Sequence, residues 1–585
     1  MPVARLGEKL RHRELPLGDG TAAEVWLARE GANVVLTTEY EGGGGQTSWR
    51  RCATYGCLGE ALSGHGECFA HSRPDERRAY LDHVTSNGQT ALLRGVEITP
   101  EVWALIVEHV GEAGVFCTGA VFAFRLTFID DAFTGLLDLT AAELGDGVEA
   151  RQYEFARGFG ASFVDFGSTA PAYFFECTFR GPIALQYAHI KSQELAFEQC
   201  KIDDSVHAVG SIGAFAFRDC AISGDLSLQG ANLQLLSMNG TSVEKAVNLD
   251  RLSTSALMAS RIRLPSATAL TGANIQNYCN LSGASFGARI RLDISADDID
   301  LQGANFEHGG RLEAARARID LQRLLLGGQL TIVGRDGASI QSIDDADAAS
   351  LALGSVDLSR CVFHRAHGLD GITIESTREL PFAPGWFRTK RRCIADEFAW
   401  RARNSWYRRD DWRLDGTALN PAGPAERRLQ APHTVVLPEL SAGQVARVYR
   451  MLRNSLETRS NQPGAADFYY GEMEMRLRDH TSGWPERLII LLYWLTSGYG
   501  LRAFRSLVCL AAVCLLGASV LHSRGFTSRV DFTTAIIASV EGLVPGLPIA
   551  NELTTAGRAT NVALTILGPL LIALFVLALR NRVRR

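Results

Sequence analysis

Cys52, Cys57, Cys68 and His71 stand as C-x4-C-x10-C-x2-H within "CATYGCLGEALSGHGECFAH". Thiolate sulfur and imidazole nitrogen are the ligands that a tetrahedral zinc ion takes, and closely spaced pairs let one turn supply two of them. Gly56, Gly59, Gly64 and Gly66 allow the tight turns this requires. The spacing predicts a zinc site of structural type, because four protein ligands leave no open coordination position for chemistry. His65 is a spare ligand, and a group of buried free thiols is the alternative reading. Other chemistry is hard to find. The chain has no Walker loop, no nucleophile elbow and no H-E-x-x-H, and "GFGASF" at Gly158 lacks the third glycine of a dinucleotide loop. The expectation is a protein that is not an enzyme.

A second group of residues lies near the C-terminus. Leu507–Leu521 and Asn561–Leu579 are apolar and almost free of charge. In lipid every backbone donor and acceptor must be satisfied within its own segment, so such runs read as membrane helices. The first reaches spanning length only if Phe504 and Ser519–Phe526 join it. Arginines crowd the outer flanks, at Arg502, Arg505, Arg580, Arg582, Arg584 and Arg585. The connecting loop carries both signs, with Arg524, Arg529 and Arg558 against Asp531, Glu541 and Glu552. The positive-inside rule then places both termini in the cytoplasm of a multi-pass cell-membrane protein. Met1–Arg13 is charged and lacks the apolar core of a signal peptide.

Between the two runs, Phe532–Val540 is apolar and too short to span, which suits a re-entrant turn. Gly542, Pro545, Gly546 and Pro548 follow and break the helix. The order of span, short helix, glycine-containing turn and span resembles two-span potassium-channel-like pore domains. That resemblance implies pore-like roles for Glu541, Gly542, Gly546 and Gly568, and a homo-oligomer, since two spans cannot build a pore alone. The loop "VEGLVPGLP" stands where a potassium filter would carry a T-V-G-Y-G-like run of carbonyls. The expected pore is therefore non-selective, with Glu541 as a charged ring; a plain two-helix anchor is the alternative.

The remaining elements must hold these two sites. With 585 residues, several domains are expected. A net charge of −5 gives no case for nucleic acid, and 21% charged against 46% hydrophobic residues describes a folded chain. Fifty-seven glycines against 18 prolines suggest many tight turns, and 12 scattered cysteines argue against a disulfide scaffold. Residues 1–50 read as a small β segment, with Glu24–Leu27 and Val34–Thr38 extended and ending at Gly42–Gly45. Residues 51–113 hold the metal module and two capping helices, one starting at Pro74 and one at Pro100.

From 114 to 378 a small-x-apolar signature recurs. The pairs are Ala120/Phe122, Ala142/Leu144, Ala161/Phe163, Ala231/Leu233, Ala273/Ile275, Ala284/Phe286 and Ala304/Phe306. Residues two apart point to the same side of an extended chain. Cys200, Cys220, Gly240, Ser260, Asn280, Asp300 and Asp320 recur about 20 residues apart, the mark of a solenoid. At the ~4.8 Å strand spacing, about 13 coils make a rod on the order of 60 Å. Bulges or irregular coils are expected at 145–190 and 325–370. The Ala-x-Phe/Leu pattern resembles the pentapeptide-repeat family, which implies a mainly β fold, a right-handed parallel β-helix with four five-residue faces per coil. A protein partner along this rod is a further expectation. Some soluble members of that family mimic DNA. Here Arg289, Arg291, Arg311 and Arg316 interrupt the acidic pairs Asp203-Asp204, Asp297-Asp298 and Asp344-Asp345, which read as solvated turns.

Residues 379–440 form a basic, aromatic connector and linker. Trp386, Trp400, Trp406 and Trp412 alternate with Arg388, Lys390, Arg391, Arg392, Arg401, Arg403, Arg408 and Arg409. Lipid headgroups or a subunit surface would suit that composition, as would a helical cap with arginine stems on tryptophan faces. Residues 441–500 predict a helical hairpin and an interfacial helix. Ser441 and Gln444 form a capping box, and Val445, Val448, Tyr449, Leu452 and Leu456 share a face. Asn461-Gln462-Pro463-Gly464 reads as the turn. Glu472 and Glu474 are expected to pair with Arg450, Arg453 and Arg476, and Tyr493, Trp494 and Tyr499 to meet lipid. "YRMLRNSLE…GAADFYYGEMEMR" with "LYWLTSGYGLRAFRSL" resembles the C-terminal half of actinobacterial pentapeptide-repeat membrane proteins. Residues 501–585 complete the chain as the pore-like hairpin.

Overall fold

Four antiparallel strands open the chain: β1 (Lys9–Pro16), β2 (Ala22–Glu30), β3 (Asn33–Tyr40) and β4 (Gly43–Arg50). In this computed structural model the described residues are 9–16, 22–30, 32–40, 43–110, 112–167, 171–191, 194–375, 380–384, 391–404, 410–414, 417–418, 435–436, 439–481, 483–544 and 552–583. The glycine run at 43–45 is part of β4, where the sequence suggested its end. A Cβ on Gly44 would come within 2.5 Å of the Thr38 carbonyl oxygen, so the close strand approach requires glycine. The chain divides into two compact units, Met1–Cys361 with Arg365–His367, and Val362–His364 with Gly368–Arg585.

The first unit is a parallel β-solenoid of about 13 turns, preceded by the four-stranded sheet. Its ladder starts at Ala91–Leu92, which pairs with Val115–Phe116, ahead of the first alanine signature. Two helices accompany these first coils, α1 (Pro74–Ser86) and α2 (Pro100–Val110). Coil length varies. Val115 and Leu137 pair at a spacing of 22 residues, Phe159 and Ile183 at 24, and Val206 and Leu226 at 20. The long coils fall in the stretch expected to be irregular. The bulges lie elsewhere, at Gly213/Ala214, Thr254/Ala256, Leu270/Ala273 and Ile319/Asp320.

The core is a set of stacks. Phe174, Phe197 and Phe217 lie one above another at 4.8 and 5.2 Å, their rings within 7° of parallel. A second stack joins Phe286 to Phe306 at 4.7 Å. The alanine pairs belong to two different faces. Phe122 and Leu144 are laddered neighbours on one, and Phe286 and Phe306 on another. The pair at Gly160 was read out of register. Leu144 pairs with Phe166, so Val164 and Phe166 are the inward residues of that coil. Phe163 has φ +56° and turns at the corner, where it meets Tyr40 and Tyr187 in the cluster under the N-terminal sheet. The offset from Phe163 to Phe166 is three residues, an odd number that takes a side chain off the inward face, and an alanine signature cannot exclude it. The 20-residue series is likewise approximate: Asn280, Asp300 and Asp320 are laddered, whereas Ser242 donates to the Cys220 carbonyl and sets Thr241, rather than Gly240, beside Cys220.

The acidic pairs of the solenoid are neutralised locally. Asp298 takes two bonds of 2.7 and 2.8 Å from Arg318, Lys201 meets Asp203 at 2.9 Å, and Arg365 pairs with Asp344.

The second unit is helical: α3 (Ala395–Asn404), α4 (Ala442–Thr458), α5 (Gln462–Leu477), α6 (Trp484–Ser497), α7 (Ala503–Val520), α8 (Phe532–Gly542) and α9 (Thr555–Val583). The Ser441–Gln444 capping box forms in both directions, at 3.2 and 2.8 Å. Asn461-Gln462-Pro463-Gly464 starts α5 instead of forming the turn. Asn461 caps it by accepting from the Gly464 N–H at 3.2 Å, and proline at the first turn costs no hydrogen bond. A π-turn, Leu521–Gly525, extends α7, so Ala503–Gly525 (23 residues) and Thr555–Arg580 (26 residues) are both long and apolar enough to cross a bilayer.

Candidate metal centre and membrane module

The chain around Cys52 folds into a glycine-rich knuckle. Bridges join Arg51 to Glu60 and Ala61 to Cys68, which brings the C-x4-C loop beside the C-x2-H turn. Gly56 and Gly64 take φ of +78° and +83°, backbone that a side chain would strain. The four candidate ligand atoms lie within 4.8 Å of one another. Cys57 and Cys68 sulfurs are 3.6 Å apart, and His71 Nδ1 is 3.3 Å from Cys68 Sγ and 3.7 Å from Cys52 Sγ. A tetrahedral ion with metal–sulfur bonds of about 2.3 Å needs ligand edges of about 3.5–3.8 Å. The Cys57–Cys68, Cys68–His71 and Cys52–His71 edges lie close to that range, and the four atoms could hold a metal ion.

The surroundings suit thiolates. The Gly59 N–H donates to Cys57 Sγ and the Cys68 N–H to Cys52 Sγ, each at 3.3 Å. Hydrogen bonding from Cys68 holds the Cys57 thiol down at about 5, and the same bond, with burial, pushes the Cys68 thiol up. One acidic thiol beside one that keeps its proton is what a cation at the centre would resolve. His65 stands apart, exposed and 3.8 Å from Glu76. The cysteines among the described residues are all free thiols, in line with the sequence reading.

In the C-terminal helices α8 packs against both α7 and α9. Ser539 Oγ donates to the Cys514 carbonyl at 2.8 Å, and Thr565 Oγ1 donates to the Gly542 carbonyl at 3.2 Å. Glycines permit the approach. A Cβ on Gly517 would lie 2.8 Å from Ser539 Oγ, one on Gly542 2.9 Å from Asn561 Oδ1, and one on Gly568 2.7 Å from the Leu543 carbonyl oxygen. Gly542 and Gly568 therefore both serve as contact points of α8 with α9. Glu541 is partly buried on the last turn of α8. Gly546, with Pro545 and Pro548, lies outside the described residues. Asn561 Oδ1 is buried without a hydrogen-bond partner among the described residues. No family model, no curated protein and no solved structure matches this chain.

Sequence reasoning missed a buried ionic cluster in the second unit. Arg391, Glu397 and Arg401 are buried, although the composition around them reads as a basic surface. Arg391 Nη2 meets both Glu397 oxygens at 2.7 Å, and Arg401 Nε meets Oε1 at 2.5 Å. Tyr449 of α4 donates to Glu397 Oε2 at 2.6 Å and accepts from the Ile394 N–H at 3.1 Å. Glu474 of α5 closes the cluster with Arg391 at 3.3 Å and with Arg401. Burial alone would raise the Glu397 carboxyl, but the Arg391 and Arg401 guanidinium groups outweigh it and hold the group far below its usual range. Glu472 pairs with Arg450, Arg453 and Arg476 as expected, whereas Glu474 turns away from that set. The i,i+4 spacing of Glu397 and Arg401 was the one available signal. Trp412 packs its ring 4.5 Å from the Arg401 guanidinium, so an arginine on a tryptophan face is present here. Trp386, Trp406, Arg388, Lys390, Arg408 and Arg409 lie outside the described residues.

Tyr499 departs from its expected place at the lipid boundary. It is buried against Tyr470, ring centroids 5.0 Å apart, and Trp494 donates to the Tyr470 hydroxyl at 3.0 Å. Tyrosine and tryptophan suit an interface because one end is polar, and here protein hydroxyls and rings supply that surrounding.

Proposed function

We propose that this chain is an integral membrane protein whose copies assemble around a non-selective ion pore, with the solenoid and both termini in the cytoplasm. The observation that carries the reading is α8, a helix of 11 residues held between two helices of spanning length by glycine contacts and by Ser539 and Thr565. A simple anchor has no need of a short third helix. Glu541 at the end of α8 supplies a charge, and the Asn561 oxygen beside Gly542, without a partner among the described residues, supplies a polar lining. Coils of 20–24 residues accord with a four-faced solenoid of pentapeptide-repeat type. The Cys52, Cys57, Cys68 and His71 cage is read as a structural zinc site that braces the start of the rod.

Ion flux into liposomes loaded with purified protein tests the pore. Flux through the native chain that falls with Glu541→Gln is the expected result. No flux at any lipid composition, or flux indifferent to the change, leaves the helices as an anchor and the solenoid as a scaffold for a protein partner. Metal analysis of the full chain tests the cage, with one zinc per chain expected and its loss in Cys68→Ser. Structural zinc contributes on the order of 10 kcal/mol of folding free energy, so the 51–72 segment should lose hydrogen-exchange protection at the same time. Metal and protection both retained in Cys68→Ser would overturn the zinc reading.

A further inference from the structure

Helix α6 carries two apolar faces, and among the described residues only one is covered. Its inner face, with Ile490, Tyr493 and Trp494, packs on Tyr469, Tyr470, Met473 and Leu477 of α5. Its outer face presents Trp484, Leu488, Leu491, Leu492 and Leu495 at helical spacing, with Ile489 at its margin. These are exposed, Trp484 to 76% and Ile489 to 67%. Water would meet a polar face at these positions.

The place of α6 identifies its surroundings. Gly498, Tyr499 and Gly500, with φ of +55°, +61° and +71°, end the helix and lead into α7 at Ala503. Cys509 Sγ lies 3.6 Å from the Leu495 carbonyl, and a Cβ on Gly500 would lie 3.6 Å from Leu577 Cδ2. The end of α6 is therefore level with the start of one spanning helix and the finish of the other. Arg502, Arg505 and Arg580 mark the same level. The Arg505 guanidinium lies 5.1 Å from the Trp494 ring, and Phe504, Leu507 and Val508 continue the exposed apolar surface onto α7. With 14 residues α6 is about 21 Å long, too short to cross a bilayer.

We infer that α6 lies in the headgroup region of the bilayer, its outer stripe in lipid and its inner face joining the hairpin of α4 and α5 to the membrane surface. The stripe is continuous with the lipid-facing surface of α7, and the adjoining arginines match phosphate headgroups. This inference rests on the membrane reading above. It is tested with the full chain in liposomes, an environment-sensitive fluorescent amino acid being placed singly at Leu488, Leu492, Ile490 or Leu570. Lipids brominated near the headgroup or at the chain centre serve as quenchers. The expected result is loss of most fluorescence at Leu488 and Leu492 with the shallow bromines, the reverse order at Leu570, and little loss at Ile490. Quenching at Leu570 with none at Leu488 or Leu492 would overturn the placement of α6 while leaving the spans intact. No quenching at Leu570 by either lipid would overturn the membrane reading itself.

Discussion

The two units build their cores in opposite ways. The solenoid core is apolar and repetitive. Each coil sets Phe, Leu, Ile or Ala above its counterpart in the coil before, and the strand ladder satisfies the backbone. The helical unit instead buries two arginines, a glutamate and a tyrosine in one network, closed by the partly buried Glu474. An apolar stack tolerates exchange among side chains of similar size, because dispersion and burial have no direction. A buried ion network tolerates little, since removing one member leaves its partners desolvated and unpaired.

The contrast can be broken by substitution, with local stability read by hydrogen exchange. The largest effect is expected at Glu397. Glu397→Gln keeps the shape but leaves the Arg391 and Arg401 charges uncompensated, and should destabilise α3–α5 by about 3–5 kcal/mol. Phe197→Leu removes one ring between Phe174 and Phe217 and should cost the solenoid about 1–2 kcal/mol. If Phe197→Leu proved the more damaging, the contrast would fail.

The smallest effect sharpens the comparison by placing a charge inside the repetitive unit. Burial, with Asp300 and Asp344 nearby, raises the Asp320 carboxyl to about 6. Its ionisation at neutral pH therefore opposes folding. That cost is absent below the unfolded value near 4, grows as pH rises from about 4 to about 6, and is fully present above 6. Asp320→Asn keeps an oxygen for the 3.0 Å bond from the Gln322 N–H. It should stabilise the solenoid by about 1 kcal/mol at pH 7, a gain that vanishes toward pH 4. A gain unchanged across that range would mean that the Asp320 charge carries no cost.

Legibility followed the same division. The stacks were readable because a repeat writes its period into the sequence, and Ala120/Phe122 and Ala304/Phe306 are buried as their spacing implies. Register was less so, as the outward turn of Phe163 shows, because alanine beside phenylalanine fits more than one corner of a coil. The metal cage was readable because its ligands are rare residue types held within one short loop system. The Arg391 cluster was hidden because arginine looks the same in sequence whether its partner is water or a glutamate more than 70 residues away.

The sequence by itself determined the solenoid, the metal-ligand set and the two apolar helices, since each depends on residue type and local spacing. Tertiary structure alone decided which coil face each alanine occupies, where Tyr499 goes, which arginines are buried and which glycines let α8 close on α9. Those outcomes depend on which distant surfaces meet, and nothing local encodes the meeting.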